Sequence, residues 1–210
     1  VLTAIIDYES GNLHSAEKAF QRMASEVNAG DVVVTADPEV IAGADRLVLP
    51  GDGAFPACAT ALRTSGAFAA MVEAVEVKAR PFLGICVGMQ LMAREGLEYR
   101  PTEGLGWIDG VVERITPEGH LKVPHMGWND LVIDTPHPVL EGVTTGEHAY
   151  FVHSFQMRVD TPSQRLAHVD YGGDVTAIVA RDNMVGFQFH PEKSAATGLR
   201  MIANFLTWAP

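Results

Sequence analysis

Short apolar runs and helical spacings alternate through the first half of the chain. Leu2–Ile6 reads as a buried strand. Beyond the turn at Gly11, Leu13, Ala16, Phe20 and Met23 fall at i, i+3, i+7 and i+10, one face of a helix that Asn12 is placed to cap. Val32–Val34 and Leu47–Leu49 predict two further strands, with a helical stretch near Pro38–Ala42 between them. Helical patterns return across Ala57–Leu62 and Phe68–Val77. Pro81–Ile85 predicts another strand, followed at once by a helix from Val87 to about Arg94. Strands alternating with helices imply a mostly parallel sheet covered on both faces.

The second half changes character. Val111–Ile115, Leu131–Ile133, Tyr150–Val152, Leu166–Val169, Thr176–Ala180 and Val185–Phe189 predict strands divided by Gly, Pro, Asp and Asn turns. These are expected to extend the sheet in antiparallel or mixed fashion. The chain closes on a helix with Leu199, Ile202, Phe205 and Leu206 on its apolar face and Ser194 at its cap position. There is no internal repeat, linker or low-complexity segment. The expectation is one α/β domain spanning residues 1–210, with a mostly parallel sheet flanked by helices.

Composition narrows the function classes. Of 210 residues, 47% are hydrophobic and 20% charged, which suits a globular core. No apolar run is long enough to span a membrane as a helix. Val1–Ile6 is apolar but short, lacks a basic flank and meets Asp7 at once, so it reads as a strand and not as a signal peptide. A formal net charge of −11 argues against nucleic acid or an anionic membrane as partner. Two cysteines, Cys58 and Cys86, suit a reducing cytoplasm. The scattered histidines form no CxxC, HxxxH or HExxH pattern, so no metal site is expected.

The chemistry concentrates in Gly84-Ile85-Cys86-Val87-Gly88. A small-x-nucleophile-x-small pentapeptide between a predicted strand and a predicted helix is the pattern of a nucleophile elbow, here with cysteine. A sharp strand-to-helix turn strains the backbone at the nucleophile, and glycines on both sides let neighbouring segments pass close. The helix N-terminus favours thiolate. Taken alone, the pentapeptide fits a buried structural cysteine equally well. His190-Pro191-Glu192, after the strand Val185–Phe189, changes that balance. A cysteine nucleophile needs a base that later protonates the leaving amine, and the base needs an orienting carboxylate. Cys86, His190 and Glu192 are therefore the expected catalytic residues. Pro50-Gly51-Asp52-Gly53 follows a predicted strand, and such a turn exposes N–H groups able to form half of an oxyanion hole.

With Met89-Gln90 completing the elbow, the chain resembles the class I glutamine amidotransferases. More narrowly, it resembles the glutaminase subunits of histidine biosynthesis. The narrower likeness rests on Asp7–Leu13, Pro50–Phe55, Pro124-His125-Met126-Gly127-Trp128-Asn129, Tyr150–Phe155 and His190–Ser194, and runs essentially from end to end. The resemblance implies a flavodoxin-like α/β fold, L-glutamine as substrate and no cofactor. It also implies a heterodimer with a (β/α)₈ cyclase, which uses the ammonia to make imidazole glycerol phosphate and an aminoimidazole carboxamide ribonucleotide. On this basis the oxyanion donors are the N–H groups of Val87 and Asp52. Gly51, Gln90, His153, Ser154 and Phe155 bind substrate, and Asn12, Met126, Trp128, Asn129 and Lys193 face the partner. Two positions depart from the family, which usually has glycine where Glu9 stands and an aliphatic residue where Asp52 stands. Two alternatives stay open. Anthranilate or aminodeoxychorismate subunits typically carry Gly-His-Gln where this chain has Gly88-Met89-Gln90. A silent scaffold is opposed by the complete Cys86–His190–Glu192 set.

Overall fold

In the computed structural model, which describes residues 1–210, the first half runs β1 (Leu2–Ile6), α1 (Leu13–Glu26), β2 (Asp31–Thr35), α2 (Pro38–Gly43), β3 (Arg46–Leu49), α3 (Phe55–Thr64), α4 (Phe68–Val72), β4 (Phe82–Ile85) and α5 (Val87–Gln90). The second half runs β5 (Glu95–Gly96), β6 (Thr102–Glu103), β7 (Gly110–Arg114), β8 (His125–Asp130), β9 (Val132–Ile133), β10 (His148–His153), β11 (Phe155–Val159), β12 (Arg165–Asp170), β13 (Asp174–Arg181), β14 (Met184–Phe187) and α6 (Ala195–Thr207).

The main sheet has the order β2-β1-β3-β4-β14-β13-β12-β9. The first five strands are parallel, and β13, β12 and β9 add antiparallel pairs. This is the expected architecture. Its central strands are apolar throughout because both faces are covered: every residue of β4 and β14 is buried. The buried stripe of α1 (Ala16, Ala19, Phe20, Met23, Ala24) packs beside α6, whose inward face carries Met201, Ile202, Phe205 and Leu206. The carboxyl ends of the parallel strands all feed one edge of the sheet, where open α/β folds place their ligands.

Several local expectations are corrected. The helix after Cys86 ends at Gln90, not near Arg94. Segment 105–108 folds back, and its amides take the carbonyls of Leu91, Met92 and Ala93, which a longer helix would have needed. Phe68–Val77 divides into α4 and a wider π turn at Glu73–Val77. Asn12 and Ser194 occupy cap positions without making a side-chain cap bond. The second half does not simply extend the sheet. β11, β7, β5 and β6 form a separate four-stranded sheet, and β8 pairs only with β10.

Candidate active site

Cys86 stands between β4 and α5 with φ +56° and ψ −116°, a region few non-glycine residues adopt. The flanking glycines have a steric reason. A Cβ on Gly88 would lie 1.9 Å from the Leu49 carbonyl oxygen, and one on Gly84 would lie 2.6 Å from that of Gly88. Strand, elbow and helix are thus in backbone contact, and the strained turn is held by its surroundings. Since α5 is a single turn, its dipole is a smaller influence on the sulfur than a full helix would be.

His190 Nδ1 lies 2.8 Å from Glu192 Oε1, the geometry that leaves Nε2 for the nucleophile side. Ser194 fixes the segment: its hydroxyl donates to the His190 carbonyl (2.7 Å) and accepts from the Tyr150 N–H (3.0 Å). The His190 N–H donates to the Tyr150 carbonyl at 3.2 Å. No well-aligned hydrogen bond joins Cys86 to His190 in this resting geometry, but the two interact. Burial disfavours the charged imidazole, yet hydrogen bonding and Coulomb attraction from Cys86 and Glu192 outweigh it and push the ring up to about 10. The arrangement favours imidazolium beside the sulfur. Titration of His190 by NMR should find it charged at neutral pH, and Cys86→Ala should lower the midpoint by removing the leading favourable partner. A wild-type midpoint at or below the ordinary 6.5 refutes the pairing.

The oxyanion loop is in the opposite orientation to the one chemistry needs. The Val87 N–H donates to the Gly51 carbonyl at 3.4 Å, and the Asp52 N–H donates to Ser10 Oγ at 3.2 Å. Neither expected donor is free. Ser10 Oγ also donates to the Asp52 carbonyl (2.9 Å), and Cys58 Sγ lies 3.2 Å from Ser10 Oγ and 3.3 Å from that same carbonyl. Tyr8 donates its hydroxyl to the Pro50 carbonyl at 2.6 Å, and burial holds its phenol far above the ordinary range. Cys58 is buried and belongs to this loop clamp. Asp52 is exposed, and its carboxylate makes no hydrogen bond or ion pair with a neighbouring side chain. At the other departure, Glu9 adopts φ +67°, a conformation glycine takes without strain.

Burial pushes the Cys58 thiol up, with hydrogen bonds from Ser10 and Asp52 opposing. A glutamine-like electrophile should therefore label Cys86 and spare Cys58. Equal labelling of both in peptide maps of the native protein counts against the assignment.

A cavity of about 220 Å³ opens over Cys86, lined by Asp52, Gly53, Val87, Gln90, Glu98 and Val152–Phe155. It is below the ~300–1,000 Å³ of sites for drug-sized ligands and suits an amino acid. Gln90, Ser154 and Phe155 line it. His153 does not offer its ring: both nitrogens are engaged, with His125 and with the Phe155 carbonyl. Two residues were missed. Glu98 accepts from the Phe55 N–H (2.9 Å) and brings a carboxylate to the cavity wall. Gln188, wholly buried, accepts from Gln90 Nε2 (3.0 Å) and places its own Nε2 3.9 Å from Cys86 Sγ.

Strand alternation along β8 turns His125 inward and leaves Met126 and Trp128 62% and 55% exposed. Asn12 and Lys193 are exposed as well. Asn129 is half-buried, its amide donating to the Asp170 carbonyl (3.0 Å).

An elbow cysteine, a histidine–carboxylate pair and a small cavity on a parallel sheet define a class, and comparison with known proteins agrees. The family model for glutamine amidotransferase class-I matches residues 4–208, and the chain belongs to that family. It is 71% identical to the imidazole glycerol phosphate synthase subunit HisH of Ruegeria pomeroyi and 66% identical to that of Cereibacter sphaeroides, with both chains covered in full. Among solved structures, one described as a glutamine amidotransferase has a TM-score of 0.72 at 21% identity, covering 97% of this chain and 96% of its own. The glutaminase domain of Trypanosoma brucei CTPS with bound acivicin has a TM-score of 0.65 at 15% identity, covering 98% and 93%. At such identities these two speak for the fold.

Proposed function

We infer that the chain is the glutaminase subunit of imidazole glycerol phosphate synthase in histidine biosynthesis, carried by full-length identity of 71% to a subunit of that name. L-Glutamine enters the cavity with its carboxamide over Cys86. The thiolate attacks the carboxamide carbon, and the oxyanion takes N–H bonds from Val87 and, after the loop turns, from Asp52. The tetrahedral adduct collapses as the His190 imidazolium protonates the departing nitrogen. Ammonia leaves, and a γ-glutamyl thioester remains on Cys86. His190, now neutral, takes a proton from water. The resulting hydroxide attacks the thioester, glutamate leaves and the thiolate–imidazolium pair returns. Glu192 keeps the imidazole in register throughout. The Glu98 carboxylate complements the substrate's α-ammonium.

The ammonia passes to a (β/α)₈ cyclase partner in a cytoplasmic heterodimer, with no nucleic acid involved. The exposed Met126 and Trp128 of β8 support docking through that strand, and Asn12, Asn129 and Lys193 are proposed to join the interface. Co-purification with mass spectrometry of the partner tests the reading. Recovery of the cyclase supports it, and recovery of a chorismate-using enzyme overturns it.

A further inference from the structure

Two buried histidines outside the triad, His125 and His153, have every ring nitrogen engaged. His153 Nδ1 is 2.8 Å from the Phe155 carbonyl, and its Nε2 is 2.9 Å from His125 Nδ1. His125 Nε2 is 3.2 Å from Asn129 Nδ2. Burial holds His125 down to about 4 and, with smaller repulsion from His125 and His190, His153 down to about 3, so both rings are neutral and carry one proton each.

The direction of every bond then follows from its main-chain ends. A carbonyl only accepts, so His153 carries its proton on Nδ1 and its bare Nε2 accepts from His125 Nδ1–H. His125 Nε2 is bare in turn and accepts from Asn129, whose orientation is fixed because its Oδ1 takes the Asp130 N–H at 2.8 Å. On the far side, the Phe155 carbonyl also accepts from Gln90 Nε2 (3.1 Å). That nitrogen's second proton goes to Gln188 Oε1, which leaves the Gln188 N–H facing Cys86 Sγ.

We propose that Asn129, His125 and His153 form a one-way hydrogen-bonded relay that, through the Phe155 carbonyl and Gln90, positions Gln188 as an amide donor to the nucleophilic sulfur. The triad explains none of these bonds, and a purely packed core would be apolar here, since buried polar groups destabilise unless fully paired. An N–H aimed at sulfur favours thiolate over thiol and holds it on the cavity side. His125, His153 and Gln188 are positioning residues in this scheme, which rests on the glutaminase reading above.

The test is a series at two positions, in complex with the synthase partner. His153→Leu should lower glutaminase kcat about tenfold to a hundredfold, the fold-change of a lost buried hydrogen bond, with a smaller change in KM. His153→Asn places an amide N–H where Nδ1 stood, keeps the bond to the Phe155 carbonyl, and should recover most of kcat. His153→Gln reaches His125 but not that carbonyl and should stay impaired. Gln188→Leu should move the pH midpoint of Cys86 alkylation by iodoacetamide upward. Equal impairment of the Asn and Gln variants would reduce His153 to packing, and an unshifted alkylation midpoint would remove Gln188 from the sulfur; either overturns the relay. Failure of the wild-type complex to hydrolyse glutamine would instead sink the functional reading, which the alkylation profile does not depend on.

Discussion

Cys86→Ala in the assembled enzyme should abolish glutamine-dependent synthesis and leave synthesis from added ammonium salt intact. On the proposed function the two activities separate, because this chain would hold the nucleophile and the partner the acceptor chemistry. Without the sulfur no thioester forms, and no other group in the cavity replaces it: Cys58 lies under the oxyanion loop, 2% exposed and with its thiol raised by burial. His190→Ala should follow the same pattern, with glutaminase turnover lower by roughly 10²–10⁴-fold, the range for removing a general base. Glu192→Ala should cost no more than that, since the carboxylate orients the ring and never touches substrate. Steady-state assays with glutamine and with ammonia as nitrogen source decide the matter. Loss of both activities in a well-folded complex would show that Cys86 supports the assembly and not the chemistry. Near wild-type turnover in His190→Ala would remove it as the base.

Much of this site was legible in the sequence because its parts are local. The elbow is five consecutive residues whose glycines answer to contacts within a few ångströms, and His190 and Glu192 sit two apart across a proline. The parallel half of the sheet was legible for a similar reason, since strands buried on both faces must be continuous apolar runs. What escaped was non-local or unpatterned. Gln188 left a trace, a lone amide between Phe187 and Phe189 in an apolar strand, where a buried amide requires partners. Those partners are Gln90, 98 residues away, and Cys86, 102 away. Glu98 lies in a turn of mixed polarity with no motif around it. β8 was not among the expected strands, because Pro124 and Gly127 interrupt it, although its alternation of inward His125 and outward Met126 and Trp128 was already present. The short α5 depended on tertiary competition for its carbonyls, which no local propensity expresses.

The lone subunit should be a poor glutaminase, about 10²–10³-fold slower than the complex carrying acceptor ligand, the span that one missing oxyanion donor accounts for. His190 and Glu192 are already joined in the structure, and Cys86 is presented at the elbow between β4 and α5. The missing element is the Asp52 N–H, which is spent on Ser10 while the Gly51 carbonyl takes the Val87 N–H and turns its own negative end toward the site. Rotating the Gly51–Asp52 peptide exchanges carbonyl for donor without moving the triad. Gly51 precedes that peptide and Gly53, at φ +105°, follows it, so the backbone around it is free to turn. What resists is the clamp of Ser10 and Cys58 on Asp52. Ser10→Ala removes both the acceptor for the Asp52 N–H and the donor to its carbonyl, so it should raise the turnover of the lone subunit and shrink the activation that partner and ligand confer. Kinetics on the lone subunit, the binary complex and the ligand-bound complex, for wild type and Ser10→Ala, measure both effects. Equal wild-type turnover in all three states would remove the gate, and a Ser10→Ala subunit no faster than wild type alone would show that the clamp is not what holds it shut.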